Sequence, residues 1–191
     1  MTDKVDVEVR RNGRTFVAEA VLDLGADQQS VWDTITDYAA LPRFMPGIRA
    51  CQVNTREPRS DGSEHLVVEQ QGEFRFLMFA QSMKVLLNIE HRPLQWAQAR
   101  AVRFELGMFT RRAIEVFEGR YALSPISTDT HSPRTHLSYT ATIGLRLPPP
   151  PAIGNVAVKQ NLVAQLEAVA REVARRMGRS PGTTGTARPV R

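Results

Sequence analysis

The sequence predicts an α+β fold: a curved antiparallel sheet wrapped around one long C-terminal helix, with two short helices after the first hairpin. Three observations predict it. Most of the chain from Val5 to Leu147 alternates apolar and polar residues with a period of two. The run Pro148-Pro149-Pro150-Pro151 ends that pattern and opens a stripe of helical period reaching Met177. One short helical stretch and a proline-broken turn interrupt the strands, directly after the opening hairpin. An amphipathic helix that arrives last must cover its apolar face with the sheet made before it.

Val5, Val7 and Val9 alternate with charged residues, Asn12-Gly13 supplies a tight-turn dipeptide, and Phe16 to Leu24 alternates again, so a hairpin is expected. Asp27 can cap a helix that begins at Gln28 and stops near Asp37, with Val31 and Ile35 on one apolar edge and Trp32 beside them. Leu41-Pro42 and Met45-Pro46-Gly47 then redirect the chain and leave Phe44 and Met45 in a second helical turn. Strands follow at Ile48 to Glu57 and at His65 to Gln70, with Gly72 expected as a break. The bulky positions are even in Phe74 to Met78 but odd at Met83, Val85, Leu87 and Ile89, which predicts a bulge near Phe79 to Ser82. Further strands are expected at Trp96 to Phe104, at Thr110 to Leu123 and from Leu137 to Leu145, with an exposed connection over 124–134. In the last helix Val156, Val163, Leu166, Val169, Ala170, Val173 and Met177 recur at three- and four-residue spacing.

At 191 residues the chain is expected to form one domain over 1–177 and a disordered basic tail over 178–191. The net charge of +5 belongs to the end of the chain: residues 171–191 hold six arginines against Glu172 alone, which leaves 19 basic and 19 acidic groups over 1–170. The pI near 10.0 therefore describes a tail more than a surface, and no specific nucleic-acid footprint is expected. Cys51 is the single cysteine, so no internal disulfide forms and a reducing compartment suffices. The amino terminus lacks a signal-peptide pattern and no run of 18 apolar residues occurs, so the expectation is a cytoplasmic protein with no transmembrane segment. Oligomeric state is not legible.

Chemistry-bearing motifs are sparse. His65, His91, His131 and His136 show no metal-ligand spacing, and neither a GxGxxG nor a GxxxxGK[ST] pattern is present, so no metal and no cofactor is expected. Cys51 reads as a buried, inert thiol, while Asp33 and Asp37 are explained by a helix surface and a helix end. No catalytic residue is assigned.

The segment Val31-Trp32-Asp33-Thr34-Ile35-Thr36-Asp37-Tyr38, followed by Leu41-Pro42-Arg43-Phe44-Met45-Pro46-Gly47-Ile48, resembles the helix-to-strand signature of a branch of the START-like (SRPBCC) superfamily. That branch comprises polyketide cyclase/dehydrase and coenzyme Q-binding proteins. Gly107-Met108-Phe109 with Phe117-Glu118-Gly119-Arg120-Tyr121-Ala122-Leu123 is similar to its later strand motif, although tryptophan is commoner where Tyr121 stands. The resemblance covers roughly residues 14–177 and implies the helix-grip fold. It further implies an apolar or amphipathic small molecule, such as a lipid, quinone or polyketide, held between the sheet and the last helix. Some members are aromatase/cyclases, and the ribosome-association toxins share the branch.

On that footing the candidate ligand-binding residues are Phe74, Phe76, Met78, Trp96, Phe104, Met108, Phe109, Tyr121 and Tyr139 on strands or strand ends, with Val163 and Leu166 from the helix. Each is also what an ordinary core contains. Arg75, Arg103 and Arg120 are read as outward, because an unpaired buried charge is costly. The leading function is hydrophobic small-molecule binding. Its rivals are a polyketide cyclase/dehydratase-type enzyme and a ribosome- or membrane-associated interaction protein.

Overall fold

In the computed structural model, which describes residues 5–76, 79–106, 114–129, 131–146 and 150–178, a single antiparallel sheet and one long helix form the molecule. The strands are β1 (Asp6–Asn12), β2 (Thr15–Leu24), β3 (Ile48–Pro58), β4 (Glu64–Phe76), β5 (Phe79–Arg92), β6 (Trp96–Leu106), β7 (Ile114–Ser127) and β8 (Arg134–Leu145). Their order is β1-β2-β8-β7-β6-β5-β4-β3, so β3 to β8 form a meander that closes onto the opening hairpin. The helices are α1 (Gln28–Ile35), α2 (Leu41–Phe44) and α3 (Pro151–Arg176).

Local chemistry sets the ends of these elements. Asn12 pairs with Thr15 across Gly13, whose φ of 59° is the left-handed conformation the tight turn needs. The Asp27 carboxylate accepts from the Ser30 amide and the Ser30 hydroxyl, both at 2.8 Å, and closes the first turn of α1. Pro151 stands at the start of α3, where an amide hydrogen would have no helical partner. At about 1.5 Å per residue, the 26 residues of α3 are long enough to cross the sheet.

Two expectations are corrected by the register. The parity change between β4 and β5 is a chain reversal, with Phe76 paired to Phe79, and not a bulge within one strand. Paired residues share a face, and because each β4–β5 pair joins an even to an odd position, the inward set switches parity by itself. Bulges do bend the sheet, but they fall in β3, β6 and β7. Gly72 likewise does not break the chain; it lies inside β4, and a Cβ there would collide with the Gly47 carbonyl. Glycine lets the turn after α2 rest on the strand, with the Glu73 amide donating to the Gly47 carbonyl at 2.7 Å. The expected exposed connection after β7 also shortens, since β7 continues to Ser127. The expected tail, beyond Gly178, lies outside the described residues.

The helix does not lie evenly over the sheet. It packs on β1, β2, α1 and α2, where Phe16, Leu22, Leu137, Leu166 and Val169 are almost wholly buried in the main core. A second, smaller core of Leu66, Val68, Val85, Leu87 and Ile89 covers β4 and β5. Tyr38, Cys51, Phe104 and Phe117 touch both cores. Among the described residues β6 and β7 pair only where Trp96–Arg100 meets Glu118–Ala122, so the two strands part beyond Arg100. No described helix is long and apolar enough to cross a membrane.

Candidate functional site

Between the two cores lies a partly open cavity of about 530 Å³. Its volume comes from small side chains. Ala141, Gly119 and Ala99 are direct cross-strand neighbours on β8, β7 and β6, and all three line the space. The next inward row reads Ala20, Tyr139, Tyr121, Ala97 across β2, β8, β7 and β6. Thus two phenol rings, 4.5 Å apart between centroids and tilted by 38°, stand between alanines at one side of a low floor. Tyr139 leans over that floor: a Cβ at Gly119 would sit 2.7 Å from its hydroxyl oxygen. The roof is the N-terminal half of α3, through Val158, Asn161, Leu162 and Gln165 at i, i+3, i+4 and i+7. Met45 to Arg49, after α2, complete the rim.

Apart from the Arg49–Glu73 pair at the rim, the polar groups that line the space are neutral. Burial raises Tyr121 to about 12 and Tyr139 well above the ordinary phenol range, so both remain protonated donors. Neither hydroxyl has a hydrogen-bond partner among the described residues. Burial likewise lifts the Cys51 thiol to about 11, which keeps it un-ionised and supports its inert role. Tyr38, also lining the space, shares a 2.6 Å hydrogen bond with His91 Nε2, and its pKa rises chiefly through desolvation. His91 is 1% exposed, and desolvation lowers its pKa despite the Glu64 carboxylate. Its Nδ1 lies 3.5 Å from Glu64 Oε2, too far and too poorly aimed to satisfy it, and has no other partner. Glu64 in turn is held by Arg56 through contacts of 2.7 and 3.3 Å. At the rim Arg49 pairs with Glu73. Among the described residues no group of three His, Cys, Asp or Glu side chains could hold a metal ion.

Phe104, Tyr121 and Tyr139 line the cavity. Trp96 does not: its neighbour Ala97 faces inward, so the indole turns to the outer surface, where the Arg120 guanidinium stacks over it at 4.6 Å. Leu166 sits inside the main core and Val163 packs against that core, one turn beyond the helix face that roofs the cavity. Phe74 and Phe76 belong to β4 by backbone, but their side chains, together with Met78, Met108 and Phe109, lie outside the described residues. Tyr38, Cys51, Gln70, Phe117, Leu162 and Gln165 were not singled out as ligand contacts from the sequence, yet line the space. The signal that could have found it is the vertical run of small residues, Ala97 and Ala99 on one strand against Gly119 on the next.

The family model described as "Polyketide cyclase / dehydrase and lipid transport" matches residues 24–177. No curated protein matches the sequence significantly. Among solved structures, a START superfamily protein from Mycobacterium smegmatis is similar at 16% identity and TM-score 0.65, over 84% of this chain and 98% of its own. The ZhuI aromatase/cyclase from Streptomyces sp. R1128 gives 17% identity and TM-score 0.62, over 85% and 96%. A conserved protein from Geobacillus kaustophilus gives 15% and 0.60, over 82% and 94%. At such identities the likeness is one of fold: a curved eight-stranded antiparallel sheet gripping a C-terminal helix. With the family model matched over most of its length and that architecture in place, this chain belongs to the polyketide cyclase/dehydrase and lipid transport family of START-like, helix-grip proteins.

Proposed function

We propose that the chain binds an apolar or amphipathic small molecule of lipid, quinone or polyketide type in the cavity between its sheet and α3. The observation that carries this reading is the volume of about 530 Å³ walled mainly by Leu, Val, Ile, Met and Phe side chains, with neutral polar groups and one mutually paired Arg49–Glu73 couple at the rim. Ligand sites typically enclose roughly 300–1,000 Å³ and are lined in that manner. The family description names lipid transport beside cyclase and dehydrase, and a START-type fold commonly serves hydrophobic ligands. Retention of the ligand rests on desolvation and shape, since the charged side chains that line the space, Arg49 and Glu73, are paired with each other at the rim. Native mass spectrometry of protein purified from its own host should show a noncovalent adduct of small-molecule mass. Protein that carries none, and that fails to take up an apolar fluorescent dye, would sink this reading.

A second reading, cyclisation or dehydration of a polyketide-like substrate, is favoured by the Tyr38 hydroxyl at the cavity wall, which is hydrogen-bonded to His91 behind it with the Glu64 carboxylate 3.5 Å further on. Hydroxyl, neutral imidazole and carboxylate in sequence are groups able to move a proton, and the ZhuI structure is titled an aromatase/cyclase. His91→Gln should then abolish turnover of a poly-β-ketone while ligand binding persists. Equal turnover by the variant removes this reading.

A further inference from the structure

The two phenols specify what kind of oxygen a ligand must carry. Tyr121 and Tyr139 face each other across β7 and β8, project into the cavity, and spend neither hydroxyl on the protein. Each hydroxyl faces the partly open cavity and is free to donate to a ligand acceptor placed there, with the net gain of an ordinary hydrogen bond. The neighbouring row of Ala141, Gly119 and Ala99 is low and broad, and the absence of a side chain at Gly119 is what lets the Tyr139 hydroxyl reach over it. The Tyr139 ring fills the place over Gly119, its hydroxyl, Cζ and Cε2 all within 3.4 Å of where a Cβ would stand, so a ligand ring is met by the phenols and by Ala99 beside them. Charge adds a further selection. The cation that lines the described rim is Arg49, already paired with Glu73, so a carboxylate lying between the phenols would be desolvated without a counter-ion.

Resting on the small-molecule reading above, we propose that Tyr121 and Tyr139 form a two-donor subsite for a neutral acceptor oxygen, a ring ketone or quinone-type carbonyl, on a planar ligand that packs against the phenol rings beside Ala99. Specificity is then a property of this subsite and not of the apolar wall. A ring hydrocarbon enters but binds less tightly, and a fatty carboxylate is disfavoured.

The test compares three probes on the full chain by isothermal titration: 9-fluorenone, which presents one ring carbonyl; fluorene, its counterpart without the oxygen; and palmitate. At about 1 kcal/mol for each hydrogen bond, the carbonyl should tighten binding by roughly 5- to 30-fold. The double variant Tyr121→Phe/Tyr139→Phe keeps both rings, and in it fluorenone and fluorene should bind alike, with fluorene affinity at the wild-type level. Equal binding of the two ring probes to wild type, a preference that survives in the double variant, or palmitate bound more tightly than fluorenone overturns the subsite while leaving cavity binding in place. Failure of all three probes, together with no dye uptake, overturns the cavity reading and the subsite with it.

Discussion

Replacing Ala99 by leucine should stabilise the ligand-free protein while removing its capacity for a ligand. Ala99 lies at the middle of the floor, between Ile89 on β5 and Gly119 on β7, and its side chain borders the cavity. Leucine adds three carbon atoms. If they enter empty apolar space, each contributes about 0.8 kcal/mol. Loss of leucine rotamer freedom costs about 0.5–1 kcal/mol against this, which leaves a gain of ~1.5 kcal/mol. For a chain of this size that raises Tm by about 3–6 °C. The assay is thermal unfolding followed by circular dichroism, paired with titration of an apolar fluorescent dye. If the floor were already packed, the same substitution would be overpacking and would destabilise by about 1–3 kcal/mol. The sign of the change therefore decides: a lower Tm, or dye capacity equal to wild type, refutes the claim that this space is open.

Three further outcomes follow from particular contacts. Tyr38→Phe removes the hydrogen-bond partner of His91 Nε2 and leaves the imidazole with none on either nitrogen, so urea unfolding should show a loss of about 1–3 kcal/mol. Stability should fall with acid in two windows. His91 has a folded pKa below its ordinary 6.5, so its contribution is complete above that value and is lost on going below it. The contribution of Glu172, held near 2 by Arg175 and Arg176, is lost between about pH 4.5 and 2, together with those of Asp27 and Glu64, whose pKa values are also lowered, and Glu172→Gln should shrink this lower window in chemical denaturation run across pH. Gly72→Ala places a methyl group against the Gly47 carbonyl and should cost about 2 kcal/mol or more, read as a lower urea midpoint; an unchanged midpoint would show that the turn after α2 can withdraw.

Much of the architecture was legible because period-two runs, Asn12-Gly13, the Asp27 cap and the proline run are local signals that the folded chain obeys. The β4–β5 reversal was misread since a change of inward parity is produced equally by a bulge and by a hairpin, and the connecting residues carry no Asn-Gly to tell them apart. The cavity was harder to see for a different reason. Search for its lining favoured large aromatic residues, whereas volume is made where side chains are missing, at Ala97, Ala99, Gly119 and Ala141. On α3 the apolar stripe through Leu166, Val169 and Val173 marks the face buried against the sheet. Asn161 and Gln165, on the face over the cavity, carry polarity that reads as solvent exposure in a one-dimensional pattern. Trp96 shows the converse, an aromatic ring placed outside by an arginine that covers it.

Because α3 clamps the β1–β2 side and roofs the cavity with its N-terminal half, many side chains that shape the interior also hold the molecule together: Ala97, Tyr139, Ala141, Val158 and Leu162 belong to the main core and line the cavity. Ala99, outside the buried set of the main core, is the position where an exchange can remodel the chamber with small effect on the helix seat. Natural variation that admits a new guest must therefore keep the helix seated as well, and a designer who retunes the other lining positions reworks the scaffold at the same time.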